Sequence, residues 1–461
     1  MRSLGKKIAL MLIVFGSTFT AYSQQEYTLH FMQVIPQSAY NNPAFFPKFN
    51  SYLGLPVVSS IYTSEFNSGF SYGDVFERRE DDSLVLNLES LNNKLKTNNF
   101  FVNQQSIDLF SFGVCANARM YVNFNITAKN YEILKYPKDF LAFFIEGNKP
   151  FVGRTMNLEL DGDGLGFYET ALGVAYKLSN RLNIGARFKY LSGIVNVNTE
   201  KARFDLFTDE FYELTVSGDV LVNTSGVTEI FDGEGNSFEP KLSDLNKYFK
   251  NSGFAIDLGA TYEVTDKIVV GASITDLGSI NWKNDTRSYY LENEVNDYTF
   301  SGFDIQALLN DEDELGRIED ELDSIFTFVE DSTSGSYRTA IPTRGYLSAS
   351  YKLPSNAQVG IVVFGEKFEE TVQSGVGIVI NKQFGKIFDL SFSYSMRKNT
   401  YNNAGAGFAL RLPPFQIYAV SDNMIGAALY PNDVKNVNLR VGLNLVFDWD
   451  KTESAIPNAV F

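Results

Sequence analysis

Val437-Asn438-Leu439-Arg440-Val441-Gly442-Leu443-Asn444-Leu445-Val446-Phe447 puts an apolar residue at every odd position. Asn438, Arg440, Gly442, Asn444 and Val446 fill the even ones. Successive side chains of a strand point to opposite faces, so this segment has one apolar and one mainly polar face. The same alternation runs through Phe388-Leu390-Phe392-Tyr394-Met396, Leu182-Ile184-Ala186-Phe188-Tyr190 and Phe254-Ile256-Leu258-Ala260-Tyr262. Each run is about ten residues long, the length a tilted strand needs to cross a bilayer. Strands of soluble sandwiches are usually shorter, about five or six residues.

The connections test this reading independently. Tight turns are expected at 116–118, 179–180, 265–266, 354–356, 384–386 and 413–414. Longer links lie between them, at 128–166, 196–252, 281–343, 366–373, 397–403 and 423–436. Short and long connections therefore alternate, as in outer-membrane barrels with short periplasmic turns and long external loops. The expected strands are 105–115, 118–127, 167–177, 182–195, 254–264, 268–280, 344–353, 357–365, 374–382, 387–396, 404–412, 415–422 and 437–447. One more lies within 51–72, which gives about fourteen strands. Sixteen is the alternative, if 51–60 and 64–72 are separate, and Pro56 suits a strand start or edge rather than a central ladder. The fold class is all-β, a transmembrane up-and-down antiparallel barrel.

The ends are read separately. Arg2, Lys6 and Lys7 precede an apolar run from Ile8 to Phe15, and Ala21-Tyr22-Ser23 offers small residues for a signal peptidase. Residues 1–23 are expected to be a signal peptide, cut between Ser23 and Gln24. Residues 24–50 are expected to form a periplasmic or lumen hatch, 51–449 the barrel, and 450–461 a periplasmic tail. The destination is the outer membrane of a Gram-negative bacterium, with a monomeric barrel in contact with outer-membrane lipid.

Composition excludes several functions. One Cys, Cys115, makes no intrachain disulfide or thiolate zinc site, and a lone Cys is usually a small buried hydrophobe. One His, His30, leaves little room for imidazole metal clusters or a Ser–His–Asp triad. The formal charge is −16 and the pI near 4.7, against a nucleic-acid binder. No enzyme, cofactor or metal is expected. Asp161-Gly162-Asp163-Gly164 lacks the remaining ligands of a calcium loop and reads as a Gly-rich loop tip. Short helices are expected in two links. Pro137–Gly147 carries Phe140, Leu141, Phe143 and Phe144, and acidic 311–329 has apolar residues at helical spacing.

If the apolar rows face lipid, the alternate rows face the lumen. The lumen-facing set includes Arg119, Glu169, Lys177, Arg187, Lys189, Asp257, Glu263, Asp389, Asn438, Arg440 and Asn444. Both charge signs are present, which fits ion pairs that fill the interior and hold the hatch. A porin-like internal field is the competing reading.

Asn41-Asn42-Pro43-Ala44, Gly54-Leu55-Pro56, Thr275-Asp276-Leu277-Gly278-Ser279-Ile280-Asn281-Trp282 and Asn436–Phe447 together resemble a little-characterised family of Gram-negative outer-membrane barrels. That family is similar to the FadL-like transporters and to the type IX secretion barrels PorV and PorP/SprF. The FadL likeness implies that Asn41, Asn42, Pro43 and Ala44 belong to an inward hatch. Two functions follow as expectations. The first is a scaffold or accessory in secretion or surface-protein handling, whose loops hold a secreted, periplasmic or surface protein. The alternative is a FadL-like transporter of small hydrophobic or amphipathic solutes. The sequence shows no match to an extended external fatty-acid groove.

Overall fold

The computed structural model describes residues 26–78, 83–227, 250–291, 295–300, 328–332, 335–354, 356–397 and 400–447. The signal segment, the expected helix over most of 311–329 and the C-terminal tail lie outside these residues. No described helix is long and apolar enough to cross a membrane.

Fourteen strands close into an antiparallel barrel. β1 is in two pieces, Ser51–Gly54 and Ile61–Asn67. β2 is Asn98–Asn117, β3 Met120–Pro137, β4 Asp161–Lys177 and β5 Leu182–Thr208. β6 is Ser252–Glu263, β7 Ile268–Trp282, β8 Thr343–Leu353 and β9 Ala357–Phe368. β10 is Thr371–Phe384, β11 Phe388–Arg397, β12 Thr400–Leu412, β13 Phe415–Ser421 and β14 Asn436–Phe447. β1 closes the ring because it pairs with both β2 and β14: Ser51 faces Val114 and Phe447, and Ile61 faces Ile107 and Val441. The two pieces of β1 share these neighbours, so the count is fourteen, not sixteen. Pro56 sits in the interruption between them, where Val57 has φ 68°.

The alternation sorts side chains as two solvents require. On β6, Phe254, Ile256, Leu258 and Tyr262 are exposed outward while Ala255 and Asp257 are buried. On β11, Phe392, Tyr394 and Met396 are outward while Ser391, Ser393 and Ser395 are buried. The exposed rows form an apolar belt, and the hidden rows enclose the lumen.

The structure extends the expected strands at the end opposite the tight turns. β2, β3 and β5 run to 20, 18 and 27 residues. Leu214–Ser225 returns along β5, pairing from Thr208 to Asn196, and carries Thr286–Leu291 and Val295–Phe300 on its other edge. The expected loop 196–252 therefore begins as a hairpin. Alternation continues into this extension, with Ala202, Leu206 and Thr208 buried, but the outward row now carries Lys201 and Arg203 and no longer reads as a membrane strand. Asp161-Gly162-Asp163-Gly164 is likewise the start of β4 rather than a loop tip, and the Asp163 carboxylate accepts from Thr199 N at 3.0 Å. A helix does form in the shorter link, Lys138–Glu146.

Candidate functional site in the barrel lumen

The segment that precedes β1 lies inside the barrel. A five-residue helix, α1 (Tyr27–Phe31), is wholly buried. Its first N–H groups have no intrahelical acceptor. Tyr27 N and Thr28 N donate instead to the two carboxylate oxygens of Asp422, at 3.0 and 2.7 Å. Just before the helix, Glu26 pairs with Arg440 of β14, and Arg440 Nη2 donates to Glu26 Oε2 at 3.1 Å. The Arg440 guanidinium also lies 4.5 Å over the Tyr62 ring and bonds Ser60.

Further along, Gln37 and Asn444 exchange reciprocal amide hydrogen bonds at 3.2 and 3.1 Å. Gln416 donates to Val34 O and Gln358 to Phe31 O. The Asn-Pro-Ala turn docks on β6 and β7: Asn42 Nδ2 donates to Ala260 O and Ala272 O, at 3.3 and 3.4 Å. Asn42 Oδ1 accepts from Ala44 N at 2.9 Å, which closes the turn on itself. Asn41 O accepts from Ser273 Oγ at 2.6 Å. The wall is hollowed to receive this turn. A Cβ at Gly185 would fall 2.1 Å from Pro43 O, and one at Gly259 would fall 2.1 Å from Asn42 Oδ1. His30 stacks on Tyr346 at 5.5 Å and meets Phe45 and Phe31 edge-on. Neither ring nitrogen has a hydrogen-bond partner, and burial pushes its pKa down from 6.5 to about 3.

Beyond the hatch, the inward rows of β3 to β9 carry an ion-pair network. Lys189 Nζ lies 2.6 Å from Asp276, 2.8 Å from Asp257 and 3.3 Å from Glu169. Arg187 meets Asp257 at 3.3 Å and Glu169 at 3.7 Å. Lys129 adds contacts to Glu169 at 2.6 Å and Asp276 at 3.4 Å. Arg344 bridges Asp276 and Glu366, at 3.1 and 2.7 Å. Register explains the crowding, since Arg187 stands directly opposite Asp257 across β5 and β6. The cations and carboxylates balance, as burial of charge requires. Between network and hatch is a cavity of about 80 Å³, lined among others by Glu26, Tyr40, Tyr62, Lys129, Arg344 and Arg440.

Above the network one side of the lumen turns apolar. Phe66, Val102, Tyr131, Ile133, Leu165, Phe167, Leu191, Ile280, Trp282, Ile341 and Phe368 form one buried cluster, contributed by β1–β5, β7, β9 and the link before β8. The facing ends of β10–β14 are polar, with Gln373, Arg397, Asn403 and Asn436 buried and the Arg397 guanidinium 4.7 Å over the Phe66 ring. Trp282 Nε1 donates to Thr339 Oγ1 at 2.8 Å, so its one polar atom is satisfied.

Of the residues expected to face the lumen, Glu169, Arg187, Lys189 and Asp257 meet in the network, whereas Asn438, Arg440 and Asn444 meet the hatch or its Asp422 anchor. Asp389 is buried near the rim and accepts from Asn381 at 2.6 Å. Lys177 lies 4.0 Å over the Phe46 ring at the barrel mouth. Two residues depart from the expectation. Arg119 is exposed in the turn after β2, where Asn117 Oδ1 accepts its N–H and strand alternation no longer applies. Glu263 ends β6 at the rim and pairs with Lys352 at 3.2 Å, both largely open to solvent.

The sequence reading missed Glu26, Lys129, Asp276, Arg344, Glu366 and Asp422. Arg344 began the expected strand 344–353 and Glu366 lay one residue past the expected strand 357–365, so inward parity, carried one residue further, could have found both. Asp276 breaks its strand's alternation with φ 60°, and its N–H donates to Asp257 Oδ1 at 2.7 Å.

Comparison with known proteins adds the following. Among curated proteins no match is found. Among solved structures the chain is similar to the Pseudomonas putida toluene transporter TodX, at 9% identity, TM-score 0.39, covering 94% of this chain and 100% of that one. It is similar to a Pseudomonas aeruginosa FadL homologue at 12% identity and TM-score 0.38, covering 90% and 94%. A COG4313 outer membrane channel from Pseudomonas putida F1 gives 10% identity and TM-score 0.31, covering 86% and 98%. A family model described as "Family of unknown function (DUF5723)" matches residues 43–422, most of the chain, and the protein belongs to that family.

Proposed function

We propose that this protein is an outer-membrane barrel that admits a small solute with an apolar body and a polar end, and that the structure is its closed state. The observation that carries this reading is the arrangement of the lumen. An apolar wall around Trp282 borders a polar cavity, which also borders the hatch tied by Glu26–Arg440. The apolar wall lowers the cost of transferring a hydrocarbon body out of water, and the charged cavity receives its polar end. Sugars gain nothing from the apolar wall, so an amphipathic solute is favoured over them. The contacts that hold the hatch, the Glu26–Arg440 ion pair among them, are non-covalent, so docking and release are both accessible.

The test is uptake into liposomes carrying the purified barrel, with octanoate as the probe and glucose as the control. Saturable octanoate entry that rises in Arg440→Ala, with glucose excluded, is the expected result. Equal entry of octanoate and glucose would overturn the reading, as would a large steady potassium conductance of the unmodified protein.

A second reading, a scaffold for a secreted or surface protein, is favoured by the external cap. Ala142, Phe151, Met156, Leu158, Leu206, Leu214, Val216 and Leu291 give the cap its own apolar cluster. Phe211 and Tyr212 at its hairpin tip are 84% and 50% exposed. A photo-crosslinker at position 211 that captures one defined protein in cells, with octanoate uptake intact after the loop is cut, would favour the scaffold.

A further inference from the structure

The rim formed by the tight turns is basic. The six tight turns with their flanking residues (116–120, 177–182, 263–268, 352–357, 382–388 and 411–415) hold eight Lys and Arg against two acids. In sequence the link 283–342 is the opposite, with fifteen acids against four bases. Ser51 and Phe447 pair across β1 and β14 at the turn rim, so the hatch enters the barrel from that side.

Backbone pairing sets these residues on neighbouring turns of one rim: Arg119 O accepts from Lys177 N at 2.8 Å, and Lys267 O accepts from Lys352 N at 2.7 Å. Among the described residues Lys352 pairs with Glu263, whereas Arg119, Arg181 and Lys267 make no ion pair, and all four are exposed. Exposed cations grouped on one rim raise the local positive potential and attract a counter-charge.

The rim is also continuous with the lipid face. Lys382 follows Ile378 and Ile380 on the outward row of β10, and its Nζ lies 5.3 Å over the Phe384 ring. Leu178, Val264, Leu353 and Ile387 are exposed apolar residues in or beside the same turns. A long cation at the end of an apolar row extends its charge to head-group depth while its stem stays in hydrocarbon. Continuity with the belt makes the counter-charge a lipid component.

We propose that this rim binds the phosphate head groups of anionic phospholipid in the periplasm-facing leaflet, and so holds the hatch end of the barrel at that surface. The inference rests on the membrane-spanning reading and adds a ligand class to it. Each Lys or Arg near an anionic surface adds roughly fivefold to its attraction.

The test is native mass spectrometry of the full barrel in dodecylmaltoside with phosphatidylglycerol or phosphatidylcholine. The expected result is preferential retention of phosphatidylglycerol, weakened by 0.5 M salt on the order of a Debye-screening effect. The variant combining Arg119→Gln, Arg181→Gln, Lys267→Gln and Lys382→Gln is expected to lose more than about tenfold of that retention. The external control, Lys149→Gln with Lys201→Gln, is expected to keep it. Equal retention of the two lipids by the unmodified protein, or an equal loss in the external control, would overturn the inference. Insertion into phosphatidylcholine vesicles separates the two claims. A barrel that inserts there without preferring phosphatidylglycerol overturns only this inference, whereas failure to insert into either lipid overturns the membrane reading with it.

Discussion

Two parts of this barrel's lumen are filled by different physics. Towards the end away from the tight turns, Trp282, Phe167, Phe368 and their neighbours line one side of the bore by apolar packing. A few strand positions below, Lys189, Asp257, Asp276 and Glu169 fill it by charge. Apolar packing tolerates a passing apolar group, because the solute supplies the same dispersion attraction as the side chains it displaces. A buried ion-pair network does not, because each separated charge stands unpaired in a low dielectric. The apolar cluster is therefore suited to yield and the network to stay, while the hatch depends on the Glu26–Arg440 pair, an Asp422 cap and a line of amides.

The predictions that test this contrast begin with the largest effect. Arg440→Ala leaves Glu26 buried without its cation, and removing one member of a buried pair costs about 3–5 kcal/mol. Release of the hatch is the expected result, seen as rapid proteolysis within 26–50 while the barrel keeps its heat-modifiable migration. The double change Arg440→Met with Glu26→Gln is expected to restore much of the protection, since no charge is then stranded. Trp282→Ala should behave differently. It opens an apolar cavity in the cluster at a cost of about 3 kcal/mol, expected as a lower unfolding temperature with the hatch still protected. If both variants expose the hatch equally, the two regions are not independent.

The smallest effect is that of pH on His30. Its docked form stays neutral down to about pH 3, whereas a released hatch takes up a proton below about 6.5. Docking is therefore favoured in full above 6.5 and weakens as pH falls toward 3. The slope is about 1.4 kcal/mol per pH unit, or about 2 kcal/mol by pH 5. His30→Phe keeps the aromatic packing with Phe45 and Tyr346 and is expected to lose that share of the acid sensitivity. The measurement is hatch proteolysis between pH 5 and pH 7.5, and an identical pH response in the variant would remove His30 as a cause.

How much was legible differs between wall and contents. The run Val437–Phe447 was readable because each residue's face follows from its own parity. The six tight turns gave a second, independent signal. Strand ends were less legible: β5 continues to Thr208 because Leu214–Ser225 pairs along it, and that partner is distant in sequence. Inward parity also found Arg187, Lys189 and Asp257, but it mislocated Arg119, which lies in a turn where parity has no meaning. Glu26 and Asp422 belong to no regular strand, so no periodicity could mark them. Their roles appear only when residues 414 and 394 positions apart meet, as Arg440 with Glu26 and Asp422 with Thr28.

By itself the sequence determined that this chain makes a membrane barrel, since alternation, strand length and the rhythm of short and long connections are local properties. Which charges pair, how the Asn42-Pro43 turn seats over Gly185 and Gly259, and that an apolar cluster gathers on one side of the lumen were decided by the tertiary structure alone. Those features depend on register and closure. Closure brings β1 against β14, and with it the hatch against Arg440, through hydrogen bonds between residues that have no neighbourhood in the chain.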